Sequence, residues 1–433
     1  MGDEFTIGGC EEGYGQERPK VVFGENTYFV AWVKWKYLGN GTYYKSVWGN
    51  LITPSGEVIE PSILIADSSY LWALSYGAGV FLCIISKKES MLYGVRVTIN
   101  GVVLDSVPFL ITDSYGPSSA CFDGENFVVC WICKTESGDE LRVVKVSPEG
   151  KVLGEPVVLD KTGYYFCFPD IVNTKNYYFI IYGCAGYYYS DLLGVKLTKD
   201  LTNAQQIEIS CNPARYEGTL TFGQSVSYNG EKIFVAYGGG IPDVSLIILN
   251  ENLGRITSLR LDEGDCCWPI VAHNNKHFMI IWAHGDKIIG SLFTPNGKII
   301  DINTITPIAD DFNLAGAFGQ FLVVYQRQTS PDWQSDRIFG RIVWDVEACR
   351  EHFVAYPNPC RDFINLQLIA VGDEEVEVKV YDIMGRLRMR ESFQLKGLGV
   401  QEFPLNLSNL SRGVYILKVK RNNNVSQQKI CKF

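Results

Sequence analysis

Seven times along this chain a turn rich in Gly, Asn or Asp gives way to a run of aromatic and β-branched residues. The copies are FGENTYFVAW (23–32), YGAGVFLCII (76–85), FDGENFVVCW (122–131), NTKNYYFIIY (173–182), YNGEKIFVAY (228–237), HNNKHFMIIW (273–282) and FGQFLVVY (318–325). Their closing positions are 53, 46, 51, 55, 45 and 43 residues apart. Runs of this composition bounded by turn formers are strands. The unit 117–160 holds four of them, SSACF, FVVCW, LRVVKVS and EPVVLD, divided by turns at 123–126 and 148–150. A lone sheet of this size exposes both faces and is not stable, so each unit must pack on copies of itself. Four strands in roughly 40–50 residues, repeated, is the pattern of propeller blades.

Six of the units continue into a third strand, a Gly-containing turn and a fourth strand. The seventh has its third strand, IFGRIV (338–343), and no fourth after it. The segment Asp3-Glu4-Phe5-Thr6-Ile7-Gly8 looks like the fourth-strand segments PFLITD and EPVVLD. Supplied from the other end of the chain, it would close the ring and remove its free edges. The expectation is an all-β protein with a seven-bladed β-propeller over residues 1–345, closed by the N-terminal strand.

Composition narrows the function. Aromatic residues make up 13% of the 433 positions, which rules out a disordered chain. No apolar run reaches 18 residues, so no membrane span is expected. The start MGDEFTIGG is acidic and has neither the basic nor the apolar region of a secretory leader, so none is read there. Residues 346–433 hold 13 Lys+Arg and 10 Asp+Glu, a net +3. Subtraction from the 39 and 48 of the whole chain leaves 26 and 38 in residues 1–345, a net −12. An acidic ring cannot supply the clustered cations that phosphates require, which excludes nucleic acid. Of the thirteen cysteines, Cys130 and Cys133 have a CxxC spacing, but on a strand they point to opposite faces. Cys266 and Cys267 are read as two free thiols ahead of a vicinal disulfide.

Beyond the ring, residues 346–355 read as a linker. Tyr356-Pro357-Asn358-Pro359 is forced to be extended by its prolines. Strands follow at 363–368, 376–382, 387–393, 400–405, 413–420 and 425–432, and alternation at Val376, Val378, Val380 and at Val414, Ile416 and Leu417 marks half-buried strands. Residues 356–433 therefore read as a small Ig-like antiparallel β-sandwich. The motifs YPNP (356–359), FINLQL (363–368), VKVYDIMGRLR (378–388) and LSRGVYILKVKRNNNVSQQKICKF (410–433) occur here in order. Over about residues 354–433 the chain resembles the type A C-terminal sorting domain of the type IX secretion system. The resemblance implies that Tyr356, Pro357, Asn358, Pro359, Tyr381, Asp382, Gly385, Gly413 and Tyr415 carry the sorting motif. It also implies the type IX machinery as partner and an extracellular or outer-membrane surface location. The ring has neither the S-x-D-x-G-x-x-W boxes of sialidase-type propellers nor the Gly-His and Trp-Asp pairs of WD repeats.

For chemistry, His273 and His277 flank one turn and could share a metal, but no third ligand is visible, so no metal or cofactor is assigned. Loop carboxylates Asp139, Glu140, Asp191, Asp243, Asp286, Asp332 and Asp336 could converge, yet no spacing singles out the pair that a glycosidase needs. Aromatics give a clearer pattern. In a propeller, loops between second and third strands share a face with the loops joining blades. That face is expected to carry Trp35, Tyr37, Tyr43, Tyr44, Tyr187, Tyr188 and Trp333, with Trp72 and Trp268 from the interblade loops. Flat amphipathic rings make good platforms for sugars and peptide surfaces. The function read from sequence is an exported binding or adhesion module with a glycan or protein ligand on those residues. An extracellular polysaccharide hydrolase acting through loop carboxylates is the alternative.

Overall fold

The computed structural model describes the chain apart from residues 10, 88–90, 163–164, 186–189, 213–222, 239–242, 264–265, 308, 331–334, 350–352, 357 and 423. Residues 4–344 form seven four-stranded antiparallel sheets. Their first strands are Gly15–Gly24, Ser69–Gly77, Ser118–Phe122, Tyr165–Asn173, Gln224–Tyr228, Cys266–His273 and Phe312–Ala317. Each of these touches the next, and the seventh touches the first, so they enclose a channel.

The second strands explain why the sheets pack in a cycle. Side chains of a strand alternate between faces, and here both faces are apolar. In Phe127–Thr135, the residues Phe127, Val129, Trp131 and Cys133 pack against Leu82 and Ile84 of the second sheet. The intervening Val128, Cys130 and Ile132 pack against Tyr178, Ile180 and Tyr182 of the fourth. The same division recurs in every sheet and yields seven inter-sheet cores. The last joins Leu322 and Val324 to Val30 and Trp32, linking the seventh sheet to the first. This is why each sequence copy is an unbroken apolar run. Cys130 and Cys133 fall in different cores, and both are free thiols.

The chain's start completes the seventh sheet. Glu4–Ile7 pairs antiparallel with Asp336–Trp344, Glu4 opposite Arg341 and Ile7 opposite Ile338. Phe5 lies over Gly340, where a Cβ would stand 2.7 Å from its ring. The Glu4 carboxylate accepts from Arg327 at 2.6 Å and from the Tyr325 hydroxyl, and Gly2 N donates to Ile342 O at 2.8 Å.

Two parts of the segment expected as a linker, residues 346–349 and 353–355, take up regular structure. Val346–Cys349 is a one-turn helix, and Phe353–Tyr356 is already a strand of the next sheet. Asp345 causes the first of these, because its side chain accepts from Ala348 N at 3.0 Å and caps the turn. Phe353–Tyr356, Phe363–Val371 and Leu398–Asn406 form a three-stranded sheet. It shares one core with a four-stranded sheet ordered Leu387–Leu395, Glu374–Asp382, Gly413–Arg421, Asn424–Lys432. Val376, Val378 and Val380 are buried in that core, as expected. In Gly413–Arg421 the buried set is Tyr415, Leu417 and Val419, while Val414 is exposed. Of Val414, Ile416 and Leu417, expected to mark the buried face, Leu417 is buried and the other two are not. Tyr415 belongs inside because its hydroxyl reaches Ser411 O at 2.7 Å.

Candidate functional site

Near its start, the first strand of three sheets is broken by a bulge built on an Xaa-Pro pair. The ladder skips between Glu17 and Lys20, between Cys167 and Asp170, and between Cys267 and Ile270. The skipped residues are Arg18-Pro19, Phe168-Pro169 and Trp268-Pro269. Pro has no N–H to give the ladder, so a bulge is where it fits. The residue ahead of each proline lies in the left-handed region, with φ of 55° at Arg18, 38° at Phe168 and 56° at Trp268. A fourth skip, between Leu71 and Ala73, frees Trp72.

These bulges turn Arg18, Trp72, Phe168 and Trp268 into one cavity of about 640 Å³ at the channel mouth, which all seven first strands line. Phe168 and Trp268 are 41% and 45% exposed and meet edge to face at 5.6 Å. Gly223 lies against Trp268, where a Cβ would approach its backbone to 3.0 Å. Across the rim, the Arg18 guanidinium sits 5.0 Å from the centre of the Tyr70 ring, and Tyr70 packs on Trp72. Such rings offer flat, part-wet platforms.

The wall below is polar and ties the sheets together. Asp170 accepts from Ser119 Oγ at 2.8 Å, Val226 N at 2.9 Å, Ile171 N at 3.0 Å and Ser225 Oγ at 3.2 Å. Ser225 Oγ in turn accepts from Val271 N at 3.3 Å. Sheets three to six are thus joined through side chains at the channel. Burial pushes the Asp170 carboxyl up, and its donors work against that shift. Lys20 shares the cavity. Desolvation pushes its ammonium below the ordinary value, while Asp311 and Asp170 pull the other way. Asp310 is raised by desolvation and by the adjacent Asp311 charge.

Of the six described residues among the nine expected to bind ligand, Trp72 and Trp268 line this cavity, and both sit on strands rather than interblade loops. There is no loop to hold Trp72, because the first sheet ends at Asp67 and the second begins at Ser69. Trp35, Tyr37, Tyr43 and Tyr44 form a separate patch on the long hairpin Thr27–Gly39 and Thr42–Ile52. Trp35 is buried against Gly15 and packs on Tyr43 at 5.9 Å, so it offers no platform. Tyr37 accepts from Gly41 N at 3.1 Å and pairs with Tyr43 at 5.2 Å, and Tyr44 donates to Asp67 at 2.5 Å. Tyr187, Tyr188 and Trp333 lie outside the described residues. The sequence reading passed over Arg18, Lys20, Phe168 and Asp170. The signal for them was a proline recurring at the head of the first strand, at 19, 117, 169 and 269.

Three of the loop acids are engaged by neighbours, and Asp332 lies outside the described residues. Asp139 accepts from Phe166 N at 3.0 Å, Glu140 pairs with Arg142 at 2.7 Å and Lys161 at 2.8 Å, and Asp243 pairs with Arg260 at 3.0 Å. The histidine pair is split. His277 donates to the buried Asp345 at 2.7 Å, whereas His273 Nδ1 accepts from Asn275 N at 3.2 Å. Among the described residues no three His, Cys, Asp or Glu side chains are grouped to hold a metal, and no helix is long and apolar enough to cross a membrane.

Ring and tail together define a class, an all-β protein bearing a C-terminal export domain. Residues 354–432 match a family model described as a secretion system C-terminal sorting domain. That part of the chain is a type IX sorting domain, so the protein is secreted or displayed at the cell surface and engages the type IX machinery. No curated protein matches the chain. Among solved structures it is similar to the lectin BP39L from Burkholderia pseudomallei, with 12% identity and a TM-score of 0.52 over 79% of this chain and 97% of that one. It is similar also to the polysaccharide lyase Uly1, with 8% identity and a TM-score of 0.51 over 75% and 89%. A prolyl endopeptidase aligns at 10% identity and a TM-score of 0.45 over 95% of this chain and 55% of that one, so this chain spans about half of that protein. At such identities the likeness is one of fold alone.

Proposed function

We propose that residues 1–345 are a seven-bladed β-propeller closed by the N-terminal strand, that residues 356–433 are an Ig-like sandwich, and that the propeller is a glycan-binding module delivered to the cell surface. The observation that carries this reading is the triple bulge. Three first strands accept a left-handed residue before proline, and all three aim a large side chain into one cavity. Left-handed non-glycine residues cost roughly 1–3 kcal/mol each and persist where the site needs them. Paired aromatics beside hydrogen-bonding and charged groups suit the apolar face and hydroxyls of a sugar ring. The export domain supports a ligand outside the cell, and two proteins of like fold are by name a lectin and a polysaccharide lyase.

The test is a glycan-panel screen of the full chain beside Phe168→Ala/Trp268→Ala and Tyr43→Ala. Binding should be lost in the first variant and kept in the second. Binding indifferent to Phe168 and Trp268, or silence across the panel, would sink the reading. One observation favours hydrolysis as the alternative. Asp310 is a carboxyl raised beside a second carboxylate in the same cavity, as a general acid requires. Shortened oligosaccharide among the products, abolished by Asp310→Asn, would move the assignment there.

A further inference from the structure

We propose that the turn 382–386 of the sorting domain, with Arg388 and Arg412 beside it, is the surface gripped by the export machinery. Its partner face is an acidic surface holding an apolar pocket. The inference rests on the reading of residues 354–432 as a sorting domain and adds the location and chemistry of the contact.

The turn joins strands Glu374–Asp382 and Leu387–Leu395 through Ile383-Met384-Gly385-Arg386. Asp382 organises all of it. One carboxylate oxygen accepts from Met384 N at 2.9 Å and Arg386 N at 3.0 Å, and the other from Arg386 Nε at 2.8 Å and Arg388 Nε at 2.9 Å. Gly385, at φ 77°, completes the turn. These donors hold the Asp382 carboxyl far below the carboxylate range against the opposing pull of burial. With its polar groups satisfied internally, the turn leaves Ile383 and Met384 outside, 75% and 74% exposed. Fixed, adjacent, exposed apolar side chains rimmed by charge mark interaction sites more often than bare surface.

The neighbouring segment completes a concavity of about 460 Å³, to which Leu410, Arg412 and Tyr415 contribute. Tyr415 donates to Ser411 O at 2.7 Å and holds that segment folded. Arg386, Arg388 and Arg412 line the concavity with Asp382 as its one carboxylate, leaving an excess of two positive charges. The complement of such a surface is acidic with an apolar recess.

Position favours the same role. At the other end of its strand, Glu374 bonds Arg421, which donates to Cys349 O at 2.7 Å beside the ring. Eight residues at about 3.3 Å each set Asp382 roughly 26 Å from that anchored end. The turn therefore stays reachable while the ring is folded.

The test expresses the full chain behind a signal peptide in a type IX-competent cell and compares it with Ile383→Ser/Met384→Ser and with Arg412→Glu. Surface display should fall by about tenfold or more in each variant, with periplasmic accumulation. Purified variants should melt with the parent chain. Display of both variants at the parent level overturns the proposal. If the double variant fails to fold, Arg412→Glu decides alone. A parent chain that stays in the periplasm would remove the sorting reading itself, a failure distinct from loss in the variants only.

Discussion

Arg18 precedes a proline at φ 55° and is exposed at the cavity rim, so few packing contacts depend on it. Glycine takes that conformation without the steric penalty of a side chain, a difference of about 1 kcal/mol. Arg18→Gly should therefore raise stability by about 1 kcal/mol in denaturant titrations while weakening binding of the proposed glycan. A fall in stability would show that the Arg18–Tyr70 contact outweighs the strain. At the opposite extreme stands Gly340, whose missing side chain makes room for Phe5. Gly340→Val forces an added side chain into that ring and should cost about 1–3 kcal/mol, read as an earlier melting transition. Neither residue announces itself in sequence. Positive φ is a property of the folded backbone, and only the proline beside Arg18, Phe168 and Trp268 hinted at the bulges. Trp72 and Trp268, singled out in the sequence, line the cavity, whereas Trp35 is buried. An aromatic near a hairpin end looks the same in sequence whether it meets solvent or, as here, a glycine across the strand pair.

Among the elements, the helix Val346–Cys349 depends most on one side chain. Asp345 caps it, accepts from His277 and Asn274, and sits fully inside. The helix then buries Cys349, whose Sγ donates to Gly319 O at 2.8 Å. Asp345→Ala removes the cap and strands two buried donors, a loss of about 2–4 kcal/mol by chemical unfolding. The conservative Asp345→Asn should cost less, since it keeps an acceptor for the cap. Burial opposes the Asp345 charge, but His277, Asn274 and the Ala348 amide outweigh it and depress its pKa. A depressed carboxyl stabilises above the unfolded pKa near 4, and the contribution disappears as pH falls through the lower folded value. The difference between parent and Asp345→Ala should thus hold at pH 7 and shrink below about pH 4. A gap that persists at pH 2 would assign the role to packing alone. The strands themselves were legible because apolar runs bounded by Gly and Asn report local geometry. This helix was not, since four residues carry no periodicity and their cap acts through a histidine 68 positions away.

For the whole molecule, the closing strand decides whether seven sheets behave as one body. Glu4–Ile7 covers the outer edge of Asp336–Trp344, with Ile7 fully buried and Phe5 packed on Gly340. Burying those two side chains is worth about 3–5 kcal/mol, before the ladder and the Glu4–Arg327 pair are counted. Without the strand, Asp336–Trp344 becomes a bare edge, and its unpaired N–H and C=O groups invite a second chain. Deleting residues 1–8 should therefore lower the melting temperature and produce oligomers in light scattering that the parent does not form. Because the missing piece is one short strand, a peptide of residues 1–8 added in excess should dock on that edge by strand addition. It should restore the monomer and part of the stability in a concentration-dependent way. Salt should weaken the rescue through the Glu4–Arg327 pair but not abolish it, since the Phe5 and Ile7 contacts carry most of the energy. A truncated chain that stays monomeric and melts unchanged would mean that the first and seventh sheets hold each other through Leu322, Val324, Val30 and Trp32 alone, and that the ring closes without its strand.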